Sequence, residues 1–235
     1  MTETLYRKYR PKTFADVVGQ NHVKITLQSE LTSGKVAHSY LFTGPRGVGK
    51  TTVARIVAKA VNCLHRGKDG DPDATCEACQ DVQSGRSLDL IEIDAASHTG
   101  VDNVRSYIIE NARFSPSRWK YKVFIIDEVH MLSISAFNAL LKTLEEPPEH
   151  ALFILATTEV HKVPETIISR CQRFDFRRLR QEDIVGRLRS IIQQEQLAVD
   201  DTVLEEIARS AHGSSRDAES LLGQVLTLAE DGRVT

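Results

Sequence analysis

The sequence predicts an α/β fold in two parts: a parallel sheet covered by helices on both faces, then a small three-helix domain. Three observations lead there. Short apolar strands alternate with stretches of helical periodicity as far as Phe176, the pattern of crossover-connected parallel strands. A glycine-rich loop, Gly44 to Thr51, stands between one such strand and the helix that follows it. From Gln181 onward strand composition stops and only helical stripes remain. At 235 residues there is room for one large domain and a small one. The boundary falls between residues 178 and 179, within a hinge near 177–181, and no internal repeat is present.

In chain order, a helix near 21–32 precedes an apolar strand at 39–43. After the glycine-rich loop, Val53, Ile56, Val57, Ala60 and Val61 recur at helical spacing and predict a helix over 51–62. A loop rich in Gly, Asp and Pro, Gly67 to Thr75, has too little apolar content to form core. A strand at 88–93 and a helix at 101–112 follow, then Val123 to Asp127, a fully apolar run ending in carboxylates. Phe137, Leu140, Leu141 and Leu144 form the stripe of a helix over 135–146, stopped by Pro147-Pro148. The fourth strand spans 151–156. Beyond the hinge, Ile184, Leu188, Ile191 and Ile192 mark one helix and Val203, Ile207, Ala208 and Ala211 a second, ended by Gly213. Ala218, Leu221, Leu222 and Val225 mark the third.

The loop reads G-P-R-G-V-G-K-T and matches the phosphate-binding pattern G-x-x-x-x-G-K-[ST] at every fixed position. Gly44, Gly47 and Gly49 can take positive φ and turn backbone N–H groups inward, around a β-phosphate. Lys50 adds charge near the β- and γ-phosphates, and the Thr51 hydroxyl is a Mg²⁺ ligand candidate. The helix dipole points its positive end at the same place. Asp127 and Glu128 close the third strand, where ligands of such sheets sit. Asp127 suits the Mg²⁺ shell, and Glu128 can take a proton from, or orient, an attacking water. Loop and acid pair together predict binding of a nucleoside triphosphate.

Composition is that of an ordinary globule, with 41% hydrophobic and 26% charged residues. No apolar run approaches the ~18 residues that span a bilayer, and the N-terminus has no secretory apolar region, so a cytoplasmic, membrane-free protein is expected. A net charge of −2 means that any nucleic-acid contact comes from a local patch. Cys63, Cys76 and Cys79 cluster while Cys171 stands apart, which in that compartment argues for metal or inert burial over disulfides.

Further segments complete a pattern: Tyr6-Arg7-Lys8-Tyr9-Arg10-Pro11, Val17-Val18-Gly19-Gln20, Leu140 to Pro147, Ala156-Thr157-Thr158, Ser169-Arg170-Cys171 and Gly213 to Asp217. In their order and spacing, over the whole chain, these resemble the AAA+ clamp loaders. The resemblance implies a P-loop ATPase domain with a three-helix lid, ATP or ADP with Mg²⁺ as ligands, and hydrolysis that is slow in isolation. Gly44 to Thr52, with Val48, looks like the phosphate loop, Asp127 and Glu128 like its acidic partner and Thr158 like the first sensor. Arg216 resembles the second sensor, and Arg170 the arginine finger that acts in trans on a neighbouring subunit. Arg10, Pro11, Val17 and Val18 would pack around adenine and ribose.

Relatives of this family carry four cysteines in an insertion after the first helix. Here, within about 63–80, Cys63, Cys76 and Cys79 match and Asp73 takes the remaining place; a structural Cys₃Asp zinc site is expected, with Asp71 as the alternative carboxylate and an empty site as the alternative outcome. By the resemblance, the family's collar domain, whose contacts hold a hetero-pentamer together, is expected to be missing, so the chain alone is expected to be monomeric. Partners implied are the other clamp-loader subunits, the sliding clamp and primed DNA. The helix after Ala95-Ala96-Ser97-His98-Thr99 is expected to offer N–H groups and Arg105 to a DNA phosphate. Against the ATPase reading stand a non-hydrolysing stator and another AAA+ DNA-processing ATPase, such as a branch-migration motor. The intact phosphate loop opposes the first; the cysteine insertion and Leu140 to Pro147 oppose the second.

Overall fold

The computed structural model describes residues 4–97, 104–227 and 233–234. Strands β1 (Ser39–Thr43), β2 (Leu90–Asp94), β3 (Lys122–Asp127), β4 (Ala151–Thr157) and β5 (Gln172–Asp175) form one sheet in the order β2-β3-β4-β1-β5. Every pairing in it is parallel. β1 and β4 are buried at every residue, as central strands of a two-sided sheet must be.

Alternating side chains feed two cores. Tyr40, Phe42, Val123, Ile125 and Ile154 point to one face. There they meet Val23 and Leu27 of helix α2 (Asn21–Ser33) and Val53 and Val57 of α3 (Lys50–Asn62). Leu41, Phe124, Ile126, Phe153 and Leu155 point to the other. That face is covered by α5 (Arg105–Glu110, π-helical, running on into Asn111–Arg113), α6 (Ile134–Glu145) and α7 (Glu165–Ile168), through Ile108, Leu140 and Ile167. Phe124 stacks on Phe153 across adjacent strands with ring centroids 5.1 Å apart.

Several elements depart from the sequence reading. Strand β5 was not among the predicted strands. It is an edge strand in which Phe174 alone is buried, so charged neighbours hide its apolar signal. The second strand starts at Leu90, not 88, because Leu88 is exposed and Asp89 turns inward. Asp89 there accepts the N–H groups of Ser117, Arg118 and Trp119 at 2.5, 2.8 and 2.9 Å. Within the insertion a helix forms, α4 (Glu77–Ser84), ended by Gly85 in the left-handed region. Of the helix expected over 101–112, residues 101–103 lie outside the described residues, as do His98 and Thr99.

The three-helix lid is present as α8 (Gln181–Glu195), α9 (Asp201–Ser210) and α10 (Ser215–Leu226), packed through Ile184, Leu188, Leu204, Ile207 and Leu222. It is not purely helical as expected, since the two-residue strands β6 (Ala198–Val199) and β7 (Arg233–Val234) pair in parallel. The chain's first helix, α1 (Leu5–Lys8), also docks here. Leu5 and Tyr9 pack against the lid core, and Glu195 accepts from Lys8 Nζ at 2.7 Å and Tyr9 Oη at 2.8 Å. Arg187, ion-paired with buried Glu219 at 2.9 Å, donates to the Tyr9 carbonyl. Among the described residues no helix is long and apolar enough to cross a membrane.

Candidate nucleotide site

The carboxyl ends of β1, β4 and β3 lie side by side, so their loops share one edge. The loop after β1 turns on Gly44, Gly47 and Gly49 at φ of 140°, 75° and 104°, which bears out the positive-φ expectation. Two of these glycines also permit close approach. A Cβ on Gly44 would fall 2.3 Å from the Phe176 carbonyl oxygen, and one on Gly47 would fall 1.9 Å from Ser214 Oγ. The lid therefore rests on the loop: Gly47 O accepts the Ser215 N–H at 3.1 Å, at the start of α10, whose cap Ser214 accepts from Asp217 N at 3.2 Å.

Lys50 opens α3 and is buried to 6% exposure. Its Nζ donates to the loop's own carbonyls, Gly44 at 2.7 Å and Pro45 at 2.8 Å. Burial pushes its pKa below the ordinary lysine value, while Glu128 and Asp127 pull the other way. Thr51 Oγ1 donates to Asp127 Oδ2 at 2.6 Å, and Asp127 Oδ1 accepts the Glu128 N–H at 2.9 Å. A hydroxyl and a carboxylate this close, beside a lysine, are the donor set that Mg²⁺ on a phosphate chain takes. Glu128 sits at φ 46°, a left-handed conformation that a side chain adopts only when its surroundings impose it. Its Oε2 accepts from Thr158 N at 3.2 Å and Thr158 Oγ1 at 2.9 Å.

These groups open onto a cleft of about 250 Å³ between sheet domain and lid. Arg10, Pro11, Val17 and Val18 line it from the N-terminal segment. Gly47, Val48, Gly49, Lys50, Thr51 and Thr52 line it from the loop, Asp127 and Glu128 from β3, and Arg216 from the lid. Gly44 and Thr158 do not line it, but each bonds a residue that does. Arg216 lies over the Tyr6 ring, 4.9 Å from its centroid. Burial, and then repulsion from Arg55, lowers the pKa of Arg10. An anion in the cleft would relieve that.

Arg170 is elsewhere. Its backbone oxygen accepts from Ser39 Oγ at 3.0 Å, at the start of β1, whereas the phosphate loop leaves the strand's other end. Its guanidinium pairs with Glu145 at 2.5 Å. Cys171 is a partly buried thiol beside the second core, its pKa pushed up to about 11 by burial.

Sequence reasoning missed Tyr6, Arg46, Leu179, Arg187, Ser215 and Glu219, which also line the cleft. Arg46 occupies a variable position of the loop motif. Tyr6 was within a quoted segment, and its aromatic ring beside Arg7 and Arg10 was the available signal. Arg187 and Glu219 carry no local signature; they lie on two lid helices, joined by an ion pair that α1 meets through the Tyr9 carbonyl.

A second cluster forms in the insertion. The ligand atoms of Cys63, Asp73, Cys76 and Cys79 all lie within 4.8 Å of one another. Cys63 Sγ and Cys76 Sγ are 3.9 Å apart, beside the ~3.8 Å edge of a tetrahedron built on ~2.3 Å zinc–sulfur bonds. Asp73 Oδ1 accepts the N–H groups of Thr75 and Cys76, both at 3.0 Å. Although burial opposes it, these N–H groups hold the carboxyl well below the usual carboxylate range. His65 Nδ1 lies 3.3 Å from Asp73 Oδ2, a neighbour the sequence reading did not name.

Residues 19–180 match the family model described as DNA polymerase III, delta subunit, and residues 183–231 the DNA polymerase III clamp loader subunit, ATPase lid domain. The chain belongs to the DNA polymerase III clamp-loader family. It is 58% identical over 229 residues to the DNA polymerase III subunit tau of Bacillus subtilis (strain 168), covering 97% of this chain and 40% of that one. The subunit tau of Escherichia coli (strain K12) is 49% identical over 233 residues, covering 99% and 36%. The chain thus spans well under half the length of these relatives. Its fold is shared with the Thermotoga maritima RuvB Holliday junction branch migration motor, with a TM-score of 0.67 at 19% identity, over 97% of this chain and 69% of that one. At that identity the likeness concerns the fold alone.

Proposed function

We propose that this chain is the ATP-binding and ATP-hydrolysing part of a bacterial clamp-loader motor subunit, which places the sliding clamp on primed DNA. The observation that carries the reading is the convergence, in one lid-covered cleft, of Lys50 and Thr51 with Asp127, Glu128 and Arg216. Bound Mg²⁺ supplies charge neutralisation at the β- and γ-phosphates, with Thr51 and Asp127 as the residues to hold it. Lys50 and the loop N–H groups bind the phosphates, and Arg10, Pro11, Val17 and Val18 face the nucleoside. Glu128, fixed by Thr158, orients the attacking water or takes its proton. Arg216 follows the lid and senses the γ-phosphate. Arg170, at the far end of β1, completes the site of a neighbour, not its own. The test is ATP turnover and clamp loading by the full-length protein in its assembly, wild type against Lys50→Ala. Equal clamp loading by the two would overturn the reading.

The insertion holds a structural zinc ion in this reading, bound by Cys63, Asp73, Cys76 and Cys79 away from the cleft. Three thiols, a carboxylate already ionised by its N–H partners and the 3.9 Å sulfur separation support it. Cys76→Ser should release the metal and loosen α4 while leaving nucleotide affinity in place. Elemental analysis of the purified variant, with proteolysis of the insertion as a second readout, checks this; full zinc content in the variant would remove Cys76 from the ligand set.

Primed DNA is contacted at the start of α5. His98, Thr99 and the Arg105 side chain lie outside the described residues, so this part rests on the sequence pattern. Arg105→Ala should weaken primed-template binding by the assembled loader and reduce its salt slope by about one phosphate's worth. An unchanged slope would count against a phosphate contact there.

A further inference from the structure

We propose that His130 is a positioning residue for Glu128, linking that carboxylate to the loop after β4. The inference rests on the reading of Glu128 as the water-orienting group. His130 lies in a single 3₁₀ turn, Val129–Met131, directly after the β3 acid pair. Its side chain is only 8% exposed, yet it contributes to neither apolar core. Its ring nitrogens are instead spent on polar partners. Nδ1 is 3.0 Å from Thr157 Oγ1 and 3.4 Å from Glu128 Oε2, and Nε2 is 3.5 Å from Glu159 Oε2. A buried imidazole hydrogen-bonded to a hydroxyl, with a carboxylate beside each ring nitrogen, is held in one ring orientation.

Among the described residues, every hydrogen bond and ion pair of the Glu128 carboxylate falls on the same oxygen. Oε2 takes Thr158 N, Thr158 Oγ1 and the His130 edge, while Oε1 takes none among the described residues. The consequence is a fixed rotamer that keeps Oε1 for a water. Thr157, the last residue of β4, and the two residues that follow it supply the rest of the clamp. Thr157 Oγ1 also accepts the Glu159 N–H at 3.0 Å, and Glu159 is tied in turn to Lys162. A shift of the Thr157–Glu159 turn therefore reaches Glu128 twice, directly through Thr158 and indirectly through His130. The left-handed backbone at Glu128 leaves it little freedom to respond except by turning its side chain.

The experiment measures kcat, KM and nucleotide affinity in the full-length protein within its assembly. The variants are His130→Phe, His130→Asn, Glu159→Gln, Glu128→Gln and the double His130→Phe/Glu128→Gln. His130→Phe should lower kcat about tenfold, the worth of one positioning hydrogen bond, with nucleotide affinity unchanged. His130→Asn keeps a polar group near the Nδ1 position and should recover part of that loss. The double variant should be no slower than Glu128→Gln alone, because His130 acts only through Glu128. Should His130→Phe fail to fold, half-exposed Glu159→Gln decides instead, with a smaller fall in kcat at unchanged affinity. Wild-type kcat in the variants, or a multiplicative loss in the double, overturns the proposal. So does a fall in nucleotide affinity that parallels the fall in kcat, the mark of a merely structural role. If Glu128→Gln itself turns over normally, the reading of Glu128 fails first, and is recognisably the part that failed.

Discussion

Lys50→Ala abolishes tight nucleotide binding and leaves the fold intact. In the structure Lys50 Nζ rests on the Gly44 and Pro45 carbonyls, buried, with Asp127 and Glu128 the acidic groups that sustain its charge. Nucleotide exchanges those two neutral acceptors for phosphate oxygens. Hydrogen bonds to charged groups contribute about 1.5–3 kcal/mol each, so losing two costs about 10²- to 10⁴-fold in affinity. Nothing in the fold needs the ammonium, because both its partners are carbonyls of a partly exposed loop. Displacement titration with a labelled nucleotide, beside a melting curve, checks both halves; unchanged affinity would refute the phosphate-loop assignment.

Glu128→Gln separates binding from turnover. Glutamine fills the same space and its carbonyl oxygen still accepts from Thr158 N and Oγ1, so the local geometry persists. What is lost is the negative charge that orients or deprotonates water, a contribution of about 10²–10⁴ in rate. The variant should hold ATP with normal affinity and hydrolyse it at a small fraction of the wild-type rate in the assembled protein. Single-turnover measurements beside nucleotide affinity make the distinction, and comparable turnover would remove Glu128 from the role.

Where chemistry is confined to a few consecutive residues, the sequence alone was enough. The loop from Gly44 to Thr51 and the pair Asp127-Glu128 each carry their signal within one strand end, and the apolar runs of β1, β3 and β4 announce burial on both faces. The four ligand candidates of the insertion were legible from spacing and family likeness, and the fold brings them together. What depends on tertiary placement was not legible. β5 has one buried residue, and its partner β1 lies some 130 residues earlier in the chain, as the Gln172–Tyr40 pairing shows. Arg187 and Glu219 reach the cleft through the fold of the lid, on which α1 also packs, and His130 looks like any surface histidine until the turn after β3 folds it between two acids.

That packing of α1 sets how the lid can move. From α1 on the lid the chain passes to the sheet domain through Arg10 and Pro11 to buried Phe14, and it returns through Arg177 to Leu179. Gln20 clasps the return strand, donating to the Arg177 carbonyl at 2.6 Å and accepting its N–H at 3.1 Å. A body joined by two chain crossings is restrained chiefly to swinging about the line between them. Pro11 and Leu179 both face the cleft, so that line runs beside it. Whatever occupies the cleft acts as a wedge near the pivot, where a small displacement becomes a large arc at the lid's far edge.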